Sequence, residues 1–221
     1  MCSITKKKQL YFVPGLAASP DIFEYLKLPE DQFEIHHLNW LVPESKNESI
    51  EHYAKRMCDR IDSNNPVLVG VSFGGVVVQE MSKLISTKKT IIISSVKSRN
   101  ELPKKFKLAK ATKIYKLLPT KALSNIDNLA KYTFGNSIKK RVELYKKYLS
   151  MRDENYLPWA IHNVLNWHQD KPLPNIIHIH GDNDGVFPIK YVKDCAVIKG
   201  GTHIMILNKA RPISKLLTEV I

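Results

Sequence analysis

Short apolar runs alternate with stretches of helical periodicity along most of this chain. Leu10-Tyr11-Phe12-Val13 is apolar throughout and closes at Pro14-Gly15, the pattern of a short buried strand. Phe33-Glu34-Ile35-His36-His37-Leu38 predicts a second strand. Ile50, Tyr53, Ala54, Met57 and Ile61 then recur at helical spacing, so Ser49 is expected to open a helix that runs to about residue 61. Residues 66–71 predict a third strand, with a helix following Ser72. Thr90-Ile91-Ile92-Ile93-Ser94 predicts a fourth, its continuous apolar run fitting a strand buried on both faces. Residues 176–180 and 196–198 predict the fifth and sixth, and 212–221 a last helix. Strands alternating with helices indicate an α/β domain with a mainly parallel sheet.

Residues 97–171 interrupt this alternation. They have almost no strand character, and Pro103, Pro119 and Pro158 divide them into helix-sized pieces. In one piece Ile138, Val142, Tyr145 and Leu149 share a helical face, with Lys139, Lys140, Lys146 and Lys147 largely off it. The expectation is a helical insertion between two strands. Residues 1–96 and 172–221 would then form the core and 97–171 the insertion, within one domain.

The net charge is +13 and the isoelectric point about 9.5. Residues 97–171 hold 17 Lys and Arg against 6 Asp and Glu, which accounts for most of that charge. Such a balance suits contact with nucleic acid, anionic lipid or an acidic protein. No aromatic–basic interleaving or nucleic-acid motif accompanies it, so nucleic acid is not an expected partner. No apolar run approaches the ~20 residues of a membrane span. The apolar stretch after Lys6-Lys7-Lys8 reads as a first strand, not as the core of a signal peptide. Cys2, Cys58 and Cys195 are odd in number and widely spaced, which suits free thiols in a reducing cytoplasm. Cys195, after Asp194, reads as a buried structural thiol in a short strand.

Chemistry enters with Gly70-Val71-Ser72-Phe73-Gly74, a G-x-S-x-G motif between a predicted strand and a predicted helix. That setting forces a sharp turn at the serine and lifts its hydroxyl to the sheet edge. The helix beginning at Phe73 aims its free N–H groups at the same place. A serine hydroxyl needs a base, and a histidine base works best when an acid orients it. His180-Gly181-Asp182-Asn183-Asp184 follows the fifth predicted strand, and Gly200-Gly201-Thr202-His203 the sixth. Loops at the carboxyl ends of parallel strands are where ligands bind. Ser72 and His203 are therefore the candidate nucleophile and base. Asp184 and Asp182 compete for the acid, with Glu101 a distant third. His36 and His37 read as structural. His178 and His180, on one strand face, lack a third metal ligand at useful spacing, so no metal is expected.

These motifs resemble the α/β-hydrolase family over nearly the whole chain. Val13-Pro14-Gly15-Leu16 is similar to its oxyanion loop, residues 70–74 to its nucleophile elbow, 180–188 to its acid loop and 200–203 to its histidine loop. Residues 97–171 resemble the lid such enzymes carry. The resemblance implies Ser72 as nucleophile, His203 as base and Asp184, four residues before Pro188, as acid. It implies an oxyanion hole from the backbone N–H groups of Leu16 and Phe73, and no cofactor. Many members have His-Gly where this chain has Pro14-Gly15; the Leu16 N–H does not depend on that side chain. Trp159 and Trp167 would line an acyl pocket. The expected activity is hydrolysis of a small-molecule carboxylic ester or thioester through an acyl-enzyme. C–C hydrolysis, acyl transfer, peroxidase chemistry and a catalytically silent binding protein are the alternatives. By the same resemblance, the basic insertion could dock an acidic acyl carrier protein.

Overall fold

A computed structural model of the chain describes residues 6–113, 147–151 and 153–221. Strands β1 (Lys8–Val13), β2 (Phe33–His37), β3 (Val67–Val71), β4 (Lys89–Ile93), β5 (Ile176–Gly181) and β6 (Ala196–Ile198) form one sheet in the order β2-β1-β3-β4-β5-β6. Every pairing is parallel. The chain moves outward from β1 to β2, then returns and builds the sheet in the other direction from β3. The crevice between the ends of β1 and β3 is thus the topological switch point, where open α/β sheets bind ligands.

Alternation along each strand divides the core in two. Tyr11, Val13, Leu68 and Ile92 face α1 (Ile50–Cys58), α2 (Phe73–Leu84) and part of 149–167. Leu10, Phe12, Val67, Val69, Ile91 and Ile93 face the opposite layer, which ends in α6 (Ala210–Val220). Burial on both faces explains why these strands read as unbroken apolar runs. Ser49 caps α1, its hydroxyl accepting the His52 N–H at 3.1 Å.

The expected helix from Ser49 ends at Cys58. Beyond it the N–H groups of Arg60 and Ile61 bond three residues back, to Met57 and Cys58, so the last turn tightens instead of continuing. α3 (Lys104–Thr112) starts directly after Pro103. Pro158 does not break a helix. It is the third residue of α4 (Tyr156–Asn166), in the first turn, where an N–H has no intrahelical acceptor to lose. A short helix, α5 (Met205–Asn208), follows the loop of His203 and has no counterpart in the periodicity. Cys195 precedes β6 by one residue and is half-buried, not enclosed. Burial pushes the Cys58 thiol up to about 11.

Leu149 makes an antiparallel bridge with Ala18, in the loop after β1. Lys147 pairs with Glu24 at 2.6 Å. Cys2, Pro119, Ile138, Lys139, Lys140, Val142, Tyr145 and Lys146 lie outside the described residues. Among the described residues, no helix is long and apolar enough to cross a membrane.

Candidate active site

The elbow is built from strain and absent side chains. Ser72 has φ 52° and ψ −116°, a backbone conformation that L-residues rarely adopt. Its N–H bonds the Ile93 carbonyl at 2.9 Å, which ties the turn to β4. A Cβ on Gly70 would lie 2.3 Å from the Gly74 carbonyl oxygen, and one on Gly74 would lie 2.3 Å from that of Pro14. Both neighbours are backbone and cannot move aside, so the two glycines of the motif are steric requirements.

Three side chains from three loops converge here. Ser72 Oγ is 2.9 Å from His203 Nε2, and His203 Nδ1 is 2.9 Å from Asp184 Oδ2. A carboxylate only accepts, so Nδ1 carries the hydrogen, Nε2 presents its lone pair, and the Ser72 hydroxyl donates to it. Asp184 is buried, and its other oxygen accepts the N–H groups of Val186 at 2.8 Å and Phe187 at 2.9 Å. Burial alone would raise its pKa. The hydrogen bond and charge interaction with His203, with the two backbone N–H groups, outweigh burial and hold the carboxyl below its ordinary value. It is therefore ionised at neutral pH. The ring of Phe187 packs edge-on against His203, centroids 5.5 Å apart.

The loop after β1 faces the elbow. An added Cβ on Gly15 would sit 3.8 Å from Ser72 Cβ, so the Gly15–Leu16 peptide lies beside the nucleophile position. Phe73 is the first residue of α2, and its N–H is among those a helix start leaves without an intrahelical acceptor. Leu16, in the loop after β1, and Phe73, in the turn after β3, thus come from the two strand ends that bound the switch point.

No protein-family model matches the sequence, and no curated protein matches it. Solved structures do match in shape over almost the whole chain. A lipase-esterase related protein from Clostridium acetobutylicum aligns at TM-score 0.66 and 18% identity, covering 97% of this chain and 94% of that one. A carboxylesterase of the thaumarchaeon Nitrososphaera gargenis aligns at TM-score 0.71 and 12% identity, covering 97% and 89%. The enol-lactonase from Burkholderia xenovorans aligns at 0.69 and 12%, covering 98% and 92%. The chain has the α/β-hydrolase fold.

Within that fold, the rival carboxylates have other partners. Asp182 is exposed, and its Oδ1 accepts the Gly200 N–H at 2.6 Å. Glu101 is buried among the N–H groups of Lys97, at 2.6 Å, and Lys193, at 3.3 Å. His178 and His180 bond each other, Nε2 to Nδ1, at 3.1 Å. His180 Nε2 donates to the Phe187 carbonyl at 2.8 Å, bracing the acid loop. Burial holds both rings below the ordinary histidine value, His178 well below it.

The two tryptophans expected in a pocket wall sit in the core, 1% and 2% exposed. The Trp159 indole donates to the Glu48 carbonyl at 2.8 Å, and that of Trp167 to Glu80 at 2.6 Å. Gln169 adds bonds to Gln79 at 2.9 Å and to the Lys97 carbonyl at 2.6 Å. Together they fasten residues 159–169 to the core. A group of Glu44, Glu48 and His52 brings potential ligand atoms within 4.8 Å of one another. The Arg56 guanidinium already supplies its cation, 2.9 Å from Glu48 and 3.3 Å from Glu44.

The sequence points to no bond at the site from two residues beside it, Trp40, which reads as core or pocket wall, and Ser95. Trp40 bonds the Gly15 carbonyl, and Ser95 bonds the Ser72 carbonyl.

Proposed function

We propose that this chain is a serine hydrolase that cleaves a carboxylic ester or thioester through an acyl-enzyme on Ser72. The observation that carries the reading is the continuous hydrogen-bonded line from Asp184 through His203 to Ser72, beside two backbone N–H donors. His203 Nε2 takes the hydroxyl proton as Ser72 Oγ adds to the carbonyl carbon. The carbonyl oxygen becomes an oxyanion between the N–H groups of Leu16 and Phe73, an arrangement worth several kcal/mol of barrier, about 3 per donor. The tetrahedral adduct collapses, and His203 passes its proton to the departing alcohol or thiol. Water then enters, His203 takes a proton from it as its oxygen adds to the acyl carbon, and the second adduct breaks to the free acid as His203 returns that proton to Ser72 Oγ. Asp184 stays ionised throughout, orienting the ring and stabilising the imidazolium.

Residues 97–171 would cover this site as a lid. With both tryptophans anchoring the return of the chain to the core, other side chains of that segment would shape the acyl pocket. A carboxylesterase and an enol-lactonase among the similar structures agree with this chemistry at the level of fold. The test is labelling with a serine-reactive fluorophosphonate. Parent protein should be labelled on Ser72 and hydrolyse short p-nitrophenyl esters; Ser72→Ala should do neither. A parent protein that takes no label would instead support a silent binding protein.

A further inference from the structure

The two peptides that carry the oxyanion donors are each gripped from behind. The Gly15 carbonyl accepts the Trp40 indole N–H at 2.9 Å and the Ala18 N–H at 3.0 Å. The Ser72 carbonyl accepts the Ser95 hydroxyl at 2.7 Å and the Gly75 N–H at 2.9 Å. Neither peptide is cis. In a trans peptide the C=O and the following N–H point in opposite directions across one rigid plane. Fixing the Gly15 oxygen therefore aims the Leu16 N–H, and fixing the Ser72 oxygen aims the Phe73 N–H. The two grips have the same construction: one backbone N–H three residues on, and one side-chain donor from another element.

We propose that Trp40 and Ser95 are positioning residues that aim the two oxyanion donors. The proposal rests on the serine-hydrolase reading above. The backbone bond alone leaves each peptide free to rock about its flanking torsions. The side-chain donor removes that freedom, because a rotated peptide would strand a buried donor without an acceptor. Trp40 is 7% exposed and Ser95 fully buried, so water cannot substitute. Trp40 also stacks on the ring of Phe73, centroids 5.5 Å apart and planes 28° apart. One indole thus touches both halves of the hole. Space for the Ser95 hydroxyl is kept by Gly75, whose added Cβ would lie 2.4 Å from Oγ.

The experiment compares Ser95→Ala, Trp40→Phe and a protein in which Trp40 is replaced by 3-benzothienylalanine. That isostere keeps the ring shape and the stacking but exchanges the N–H for sulfur, so it answers even if Trp40→Phe fails to fold. On a short p-nitrophenyl ester, kcat should fall about tenfold in each, less than the ~10²–10³ of deleting a donor, with KM within twofold. Inhibition by a trifluoromethyl ketone, which adds to serine as a hemiketal oxyanion, should weaken by the same factor. Combining Ser95→Ala with the isostere should multiply the losses. Parent-like kcat and inhibition in folded Ser95→Ala and isostere proteins would overturn the proposal. A raised KM at unchanged kcat would also overturn it, by assigning these residues to substrate binding. Ser72→Ala separates the two levels: if it stays active, the hydrolase reading itself fails. If it is silent while the other variants behave like the parent, only the aiming role fails.

Discussion

Asp182 and Asp184 hold the same loop at two points with unequal consequences. Asp182 grips the backbone N–H of Gly200, whereas Asp184 meets a ring nitrogen of His203 at 2.9 Å. Asp184→Asn is expected to lower kcat by about 10³–10⁴, because an amide can turn its N–H toward the ring and stabilise the wrong tautomer. Asp182→Asn keeps an oxygen for Gly200 and should stay within about tenfold of the parent. Steady-state kinetics on a p-nitrophenyl ester rank the two, and the reverse order would move the acid to Asp182.

Ser72 has a strained backbone at the residue proposed as nucleophile. Ser72→Gly should abolish turnover and raise stability, since glycine adopts φ 52° without the ~1–3 kcal/mol that such conformations cost other residues. The gain, less the lost hydrogen bond to His203, should raise Tm by about 2–4 °C in a chain of this size. Calorimetry checks it. A lower Tm for Ser72→Gly than for Ser72→Ala would argue against strain at the turn.

Two glycines give opposite expectations. Gly74→Ala would drive a Cβ to 2.3 Å from the Pro14 oxygen, and Gly185→Ala meets nothing within 4 Å. The first should destabilise by at least about 2 kcal/mol, through forced displacement of backbone. The second should leave urea unfolding unchanged. Equal midpoints for the two variants would contradict the packing of the elbow against the loop after β1.

Acid should weaken the fold in two stages. His178 and His180 are buried with lowered pKa values, so as pH drops below ~6.5 the unfolded chain binds protons that the folded one refuses. Stability then falls with pH, by up to about 1.4 kcal/mol per unit for each fully shifted histidine. Asp184 acts lower. Its folded carboxyl is below the ordinary value, so its contribution is complete above ~3.9 and disappears as pH falls through the folded value. Urea midpoints at pH 7, 6 and 5 should decline in the parent and decline less in His178→Gln. Parallel slopes would show that His178 titrates freely.

The strands were readable because burial on both faces leaves little choice of residue: Leu10 to Val13 and Thr90 to Ile93 are apolar almost throughout. Ser72, Asp184 and His203 were readable as candidates because each lies in the turn or loop after a strand, although β6, before His203, is short and partly exposed. The acid could be placed only by resemblance, since sequence spacing does not say which of two carboxylates in one loop turns inward. Trp40 and Ser95 were illegible for a deeper reason. They act on carbonyls of residues 25 and 23 positions away, and no periodicity encodes a contact between two loops. Trp159 and Trp167 read from the sequence as core or as pocket wall, because aromatic residues serve both, and in the structure they are buried in the core. Their indole N–H groups bond the Glu48 carbonyl, just before α1, and Glu80, in α2.

The contact between Gly74 and the loop after β1 turns activity into a gauge of strand alignment. Val13 sits opposite Gly70 in the β1–β3 ladder, and the Val13 and Pro14 carbonyls fill the space above Gly74. A slip of one residue would swing the β1 side chains to the other face and carry the Leu16 N–H ~3.3 Å along the strand, out of reach of an oxyanion at Ser72. Turnover would then report that β1 has threaded correctly between β2 and β3. A refolding chain should recover helical ellipticity before it recovers catalysis, with the interval measuring how long the central strand takes to find its place.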